Sequence, residues 1–150
     1  MVLQRSINNP PKPKGQMFIM RGLPGSGKST VVETIRHNSV NFMPRICSAD
    51  DFFMVDGRYD FRPWLIGQAH EACKIKAFRA MMDGVDVFID NTNSCKWEFE
   101  LYVLWARQLN YRCIIIDLFD SKLSDEELAA RCKHGVPVDS IAKMRARWEK

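Results

Sequence analysis

Arg21-Gly22-Leu23-Pro24-Gly25-Ser26-Gly27-Lys28-Ser29-Thr30 is the stretch that decides how this 150-residue chain folds. Gly22 to Ser29 reads as a glycine, four residues, then Gly-Lys-Ser, the spacing of a phosphate-binding loop. Before it stands Met17-Phe18-Ile19-Met20, four apolar residues whose period alone cannot separate strand from helix. The turn that follows selects a strand. After it, Ser29 to Asn38 reads as a helix with Val32 and Ile35 turned inward. In a strand-loop-helix setting, the glycines remove Cβ atoms that would keep the backbone from wrapping an anion. Successive N–H groups point inward and the helix N-terminus adds its positive end. Lys28 is then expected to reach the β- and γ-phosphates of ATP, and Ser29 to ligate Mg²⁺. The plainer alternative is a glycine-rich turn without a ligand. The loop does not choose the acceptor: water makes an NTPase, a hydroxyl a kinase, no chemistry a switch.

Working outward, short apolar runs alternate with helical patterns. Pro44 to Ser48, Val85 to Ile89 and Arg112 to Leu118 read as strands, the last holding the strongest signal in Cys113-Ile114-Ile115-Ile116. Helices are expected at Leu65 to Met82, facing inward with Leu65, Ala69, Ala72, Cys73, Ala77, Ala80 and Met81, and at Lys96 to Gln108. Ser124 with Glu127 forms a capping box for a short helix at Asp125 to Cys132. A last helix, Ser140 to Trp148, has Asp139 placed to cap it. Strands without clean polar alternation argue for a parallel sheet covered on both faces. The fold class is therefore α/β: a three-layer P-loop NTPase-type sandwich with a central, mainly parallel sheet and a short helical lid. Residues 1–15, rich in proline, are expected to form a flexible arm ahead of one P-loop domain over 16–150.

Composition narrows the classes further. Hydrophobic residues at 46% and charged residues at 27% mark a globular chain rather than a disordered one. No apolar run reaches the roughly 20 residues that span a bilayer, and residues 1–14 lack a signal-peptide core. The five cysteines are odd in number and no pair has metal-ligand spacing, so reduced thiols in the cytoplasm or nucleus are expected rather than disulfides or zinc. The net charge is +4; residues 1–36 hold six basic groups and one acid, which suits a polyanionic partner.

Acidic residues at strand ends are candidates for choosing the acceptor. Asp50 and Asp51 follow the second strand, at the carboxyl edge where parallel sheets bind ligands. A kinase needs one carboxylate there to align and deprotonate a hydroxyl; a solvated loop accounts for the pair equally well. Asp90 ends the strand Val85 to Ile89, and either it or Asp51 suits support of a metal through water. Asn91 and Thr92 at the same edge either position a substrate or tie down the turn. Asp117 and Asp120 read as structural caps. Arg131, ahead of Lys133, His134 and Gly135, either neutralises transferring phosphoryl from a mobile segment or completes a helix end. Arg58 and Arg62 around Tyr59, Phe61 and Trp64 suit base contacts, diluted by Asp56 and Asp60. Trp64, His70 and Trp97 read as packing or supporting residues.

Several ordered blocks go beyond the loop: Ala49-Asp50-Asp51-Phe52-Phe53, Asp56-Gly57-Arg58-Tyr59-Asp60-Phe61, Ala69-His70, Ile89-Asp90-Asn91-Thr92-Asn93, Trp97-Glu98, Glu127-Leu128-Ala129-Ala130-Arg131 and His134-Gly135-Val136-Pro137. Together they resemble the P-loop kinase domain of the NEDD-four-binding protein two family and, more distantly, phage-type polynucleotide 5′-hydroxyl kinases. The resemblance implies ATP- and Mg²⁺-dependent phosphorylation of a 5′-hydroxyl on DNA or RNA. It implies that Asp50 is the general base, that Lys28, Ser29 and Thr30 contact nucleotide and metal, that Asn91 and Thr92 lie on the acceptor side, and that Arg131 is a lid arginine. Two positions depart from the phage-type pattern: Phe53 stands where an acceptor-binding arginine is found, and Lys133-His134-Gly135 offers no second lid arginine. A separate phosphatase or ligase partner would be needed for complete end-healing. The competing expectations are a small-metabolite kinase acting on a nucleoside or sugar, and an ATP-binding interaction module without catalysis.

Overall fold

Four of the expected apolar runs become neighbours in a single parallel sheet. The structure is a computed structural model that describes residues 10–39, 43–120 and 122–150. In chain order the elements are β1 (Gly15–Arg21), α1 (Lys28–Asn38), β2 (Arg45–Cys47), β3 (Met54–Val55), β4 (Arg58–Tyr59), α2 (Ile66–Met82), β5 (Val87–Asp90), α3 (Glu100–Gln108), β6 (Tyr111–Asp117), α4 (Asp125–Arg131) and α5 (Val138–Ala146). Of the expected arm, residues 1–9 lie outside the described residues. Further along it, Lys14 N–H donates to the Asn110 carbonyl at 2.9 Å and the Asn110 amide donates to the Lys12 carbonyl at 3.1 Å.

The sheet order is β2-β5-β1-β6, with every pairing parallel. From β1 the chain steps over β5 to reach β2, returns to β5, then crosses β1 to β6. These opposite steps put helices on both faces, and alternate side chains of each strand serve each face. Phe18 and Met20 of β1 and Phe88 of β5 meet Val32 of α1, with the Phe18 and Phe88 rings stacked at 4.7 Å. Met17 and Ile19, Val87 and Ile89 face α2 and α3, where Cys73, Ala77, Ala80, Tyr102 and Ala106 are buried. Small residues on α2 let that helix lie close to the strands. A third cluster joins Leu23 of the phosphate loop to Leu128 of α4 and Ile141 of α5.

Local expectations fare unevenly. The Ser124 box is present: Ser124 Oγ accepts from Glu127 N–H at 3.1 Å and Glu127 Oε2 from Ser124 N–H at 2.8 Å, a cap worth about 1 kcal/mol. Asp139 does not cap α5. That helix starts earlier, with Pro137 as its first flanking residue and no side-chain cap, because proline's fixed φ already suits a helix entry. Lys96–Glu98 is a 3₁₀ turn, separated from α3 by Phe99. Ala72 is exposed rather than inward, one position off the buried Ala69–Cys73–Ala77 stripe. Trp64 and Trp97, expected to pack, are 77% and 71% exposed. The strongest strand signal forms β6, an edge strand whose Ile115 is 48% exposed: β-branched residues report strand propensity, not position in the sheet. All five cysteines carry free thiols, and burial pushes the Cys47 thiol up to about 12. Among the described residues no helix is long and apolar enough to cross a membrane.

Candidate active site

β1 delivers the chain to the loop through a buried arginine. Arg21 is 4% exposed. Its Nε donates to the Asn93 carbonyl at 2.9 Å, Nη2 to the carbonyls of Ser94 and Glu149 at 3.1 and 2.5 Å, and Nη1 to Asp117 at 3.2 Å. Its guanidinium also lies 5.0 Å from the Phe99 ring centroid and 4.7 Å from that of Trp148. The strand end, the β5 end, β6 and the residues after α5 are thereby fastened to one cation. Sequence reading took Arg21 as a member of the loop block and did not foresee this role, because its acceptors are backbone carbonyls that carry no residue signature.

The loop itself turns as its glycines allow. Gly25 and Gly27 have φ of +80° and +95°, a region that costs other residues about 1–2 kcal/mol. A Cβ on Gly25 would also overlap the backbone carbonyl of Leu128, so α4 rests directly on the loop; beside Gly27 there is open space. Gly22 N–H donates to the Thr92 carbonyl at 3.1 Å, clipping the loop to the β5 exit. Lys28 Nζ donates to the Gly22 and Leu23 carbonyls at 2.8 and 3.1 Å. Burial lowers the Lys28 pKa from its ordinary value, opposed by the charges of Asp90 and Asp50. Ser26 Oγ is buried and has no hydrogen-bond partner among the described residues. An orphaned donor inside a loop of inward N–H groups fits an anion such as a phosphate.

Asp90 ends β5 in register with Met20, one residue short of Arg21. It hydrogen-bonds Ser29, and burial raises its pKa against the pull of Lys28. Hard oxygen donors from one carboxylate and one hydroxyl suit Mg²⁺ completed by substrate phosphates and water. No cluster of three or more His, Cys, Asp or Glu able to hold a metal by itself occurs among the described residues.

Asp50 sits on the 3₁₀ turn Ala49–Phe53, whose start is capped by Ser48 Oγ accepting from Asp50 N–H at 3.2 Å. The turn is anchored from β5: Asn91 Oδ1 accepts from Ala49 N–H at 2.8 Å, and the other end of that amide lies 3.5 Å from Cys73 Sγ. The Asn91 side chain thus positions the segment that carries Asp50. Asp50 Oδ1 accepts the Tyr59 O–H at 3.0 Å, and Oδ2 lies 3.8 Å from His134 Nε2. Burial and the Asp50 charge both push the Tyr59 pKa above its ordinary value. Asp51 instead pairs with Lys76 of α2 at 3.2 Å.

These parts surround one cleft of about 670 Å³. Pro24 to Thr30, Asp50, Asp51, Asp90, Asn91, Thr92 and Arg131 all line it. Gly22 and Leu23 are buried behind it, and Arg58 is exposed on β4 and does not line it. Tyr59, expected at base contacts, and His134, beside the lid arginine, also face the cleft, as do His70, Glu98 and Arg147, to which sequence reading gave no such place. They come from five separate stretches that no local pattern joins. Asp117 and Asp120 are structural, as expected: their carboxylates accept from Phe119 and Lys122 N–H at 2.9 and 2.8 Å.

Residues 17–150 match the family described as AAA domain (AAA_33). Human NEDD4-binding protein 2 is 33% identical over 137 residues, covering 89% of this chain and 8% of that protein. YLP motif-containing protein 1 of Rattus norvegicus is 27% identical over 161 residues, covering 92% of this chain and 12% of that protein. The chain therefore spans a small part of the length of either relative. A chain in a solved Pnkp1/Rnl/Hen1 complex is 25% identical with a TM-score of 0.64, over 83% of this chain and 41% of that one. A chain of the Pnkp1/Rnl/Hen1 RNA repair complex superposes with a TM-score of 0.70 at 22% identity, over 93% and 45%, a likeness of fold. With its parallel sheet, its phosphate loop and the match over residues 17–150, the chain belongs to the AAA_33 family of AAA domains as a P-loop, kinase-like domain.

Proposed function

We propose that this domain transfers the γ-phosphoryl group of ATP to the 5′-hydroxyl of a DNA or RNA end. The observation that carries the reading is the placement of Asp50 in the same cleft as the phosphate loop, close enough to Lys28 for their charges to interact. A plain nucleotide-binding module has no use for a carboxylate there. In the proposed reaction the acceptor oxygen bonds to the γ-phosphorus while the bond to the bridging oxygen breaks. ADP leaves with that electron pair and the hydroxyl proton passes to Asp50. Lys28 and the loop N–H groups hold the phosphates, and Arg131 approaches from α4 to neutralise the transferring group. Mg²⁺, when bound, neutralises phosphate charge; Ser29 and Asp90 would hold it, Asp51 being committed to Lys76. Asn91 acts by positioning the Asp50 turn, and Thr92 lines the acceptor side.

The nucleic-acid acceptor draws support from the excess of positive charge and from neighbours described as an RNA repair complex. A small-metabolite acceptor is the second reading. It is favoured by Phe53, buried among Tyr59 and Phe61 where phage-type kinases carry an acceptor-binding arginine. Transfer of γ-labelled phosphate to 5′-hydroxyl DNA, 5′-hydroxyl RNA, nucleosides and sugars, with and without Mg²⁺, separates the two. Label on oligonucleotide is expected; label on small molecules alone refutes the polynucleotide assignment. Removal of a charge-stabilising or proton-accepting group costs about 10²–10⁴ in rate, so Lys28→Ala and Asp50→Ala should each lose transfer. Asp50→Ala should keep ATP binding. Near-normal transfer by Asp50→Ala would remove it as the base.

A further inference from the structure

The turn that follows β5 holds an arginine from the far end of the chain. Ser94 is fully buried; its Oγ accepts from Arg147 Nε at 2.9 Å and donates to Glu98 Oε2, also at 2.9 Å. The backbone on either side is held as well. Cys95 Sγ donates to the Arg147 carbonyl at 3.4 Å, and Glu149 N–H donates to the Ser94 carbonyl at 2.9 Å. One edge of the guanidinium is thus fixed. Nη2 lies 3.7 Å from Glu98 Oε1, beyond a hydrogen-bond length of about 2.7–3.2 Å. Nη1 has no hydrogen-bond partner among the described residues. The side chain is 51% exposed and lines the cleft, so its outer N–H groups are open to a ligand there.

The layers of the fold set where in the cleft this arginine stands. α1, which begins with Lys28 and Ser29, covers one face of the sheet, and α2 and α3 cover the other. On the second side the cleft is lined by Ile66 and His70 of α2, by Glu98 ahead of α3, and by Arg147. His70 feels the charges of both Glu98 and Asp50, which links Asp50 through His70 and Glu98 to Arg147. Of the cations lining the cleft, Lys28 belongs to the loop, and Arg131 and Lys133 to α4 and the turn after it. Among the described residues Arg147 alone stands on the α2–α3 side, where two carboxylates would otherwise repel an anion.

We propose that Arg147 holds a phosphate of the acceptor strand, so that the cleft prefers a 5′-hydroxyl carried on a phosphodiester chain to a neutral nucleoside or sugar. This rests on the reading of the domain as a kinase with Asp50 at the acceptor hydroxyl. With the loop and Lys28 occupied by the phosphates of ATP, the body of that acceptor extends along the α2–α3 side. The planar fork of a guanidinium matches two phosphate oxygens. Ser94 and Glu98 orient the fork before the acceptor arrives, so less freedom is lost on binding. Arg147 thereby sets the class of acceptor without touching ATP.

The test uses two 5′-hydroxyl oligonucleotides of one sequence, one with ordinary phosphodiesters and one with uncharged methylphosphonates at its first two linkages. Kinetics of transfer are measured for each, together with Kd by fluorescence anisotropy in ADP and Mg²⁺, which needs no turnover. Wild type is expected to prefer the charged strand by about tenfold or more, the worth of a charge-assisted hydrogen bond. Arg147→Gln keeps a donor for Ser94 but loses the charge; its preference should collapse, through KM for the strand, with KM for ATP unchanged. Arg147→Lys keeps the charge and should retain part of the preference. Arg112→Met removes one charge from the opposite end of the sheet and should behave as wild type. A preference that survives in Arg147→Gln overturns the proposal. Equal losses on both strands, accompanied by a loss of ATP affinity, mark a tether alone and also overturn it. Wild type that binds the strands but transfers to neither refutes the kinase reading, and the anisotropy comparison still decides the role of Arg147. Wild type that binds neither strand overturns both.

Discussion

Gly25 and Gly27 lie in one loop with nearly the same backbone torsion, yet alanine at the two positions should have different consequences. Both have positive φ, +80° and +95°, so either substitution incurs about 1–2 kcal/mol of left-handed strain. At Gly27 nothing else is within reach of the new methyl, and the loss should stop there. At Gly25 the methyl would run into the Leu128 carbonyl. That atom is backbone of a helix anchored by Leu23, Leu128 and Ile141, so it cannot rotate away as a flexible side chain would. Forcing α4 off the loop adds an overpacking cost of about 1–3 kcal/mol. The difference between the variants is therefore about 1–3 kcal/mol, or about 2–12 °C in Tm for a chain of this length. Urea unfolding of both without nucleotide, at equal m-values, measures it. Equal midpoints for Gly25→Ala and Gly27→Ala would refute the contact between α4 and the loop. Gly57→Ala, with φ +77° and open space in the β3–β4 hairpin, is the control for strain alone.

Arg21→Met should destabilise by about 2 kcal/mol or more, since the two buried carbonyls of Asn93 and Ser94 lose their donor at about 1–3 kcal/mol each; a change below 1 kcal/mol in urea melts would contradict the role drawn for this cation. His70, partly buried on α2, has its pKa lowered from 6.5 by burial and by Lys74, partly offset by Glu98, Asp50 and Glu71. A lowered native pKa means the unfolded chain takes up the proton first, so the His70 contribution is complete above about pH 6.5 and is lost as pH falls through the native value. The urea midpoint of wild type should accordingly fall more between pH 7.5 and 5 than that of His70→Gln, and parallel slopes would show that His70 is not the group responsible.

The phosphate loop and the elements around it were legible in the sequence because each is local. The motif places glycines, lysine and serine on consecutive residues, and a helix or strand declares itself through the spacing of its own apolar side chains. Thus Gly22 to Ser29, the Ser124 cap and the run Cys113 to Ile116 could all be read directly. The parallel sheet followed from strands apolar on both sides. Which strand would be at the edge did not, since a β-branched run looks alike in the middle and at the rim. The surroundings of Asp50 were equally hidden: Tyr59 arrives on a hairpin and His134 on a turn after α4, and neither residue's neighbours in sequence record the meeting. Arg21 is the extreme case, bonding carbonyls 72, 73 and 128 positions away. The sequence alone determined that an anion-binding loop would form between a strand and a helix, because its backbone geometry is written in adjacent residues. Tertiary structure alone decided what closes over that loop and what holds its carboxylate, because those contacts join side chains and carbonyls that only folding brings within bonding distance.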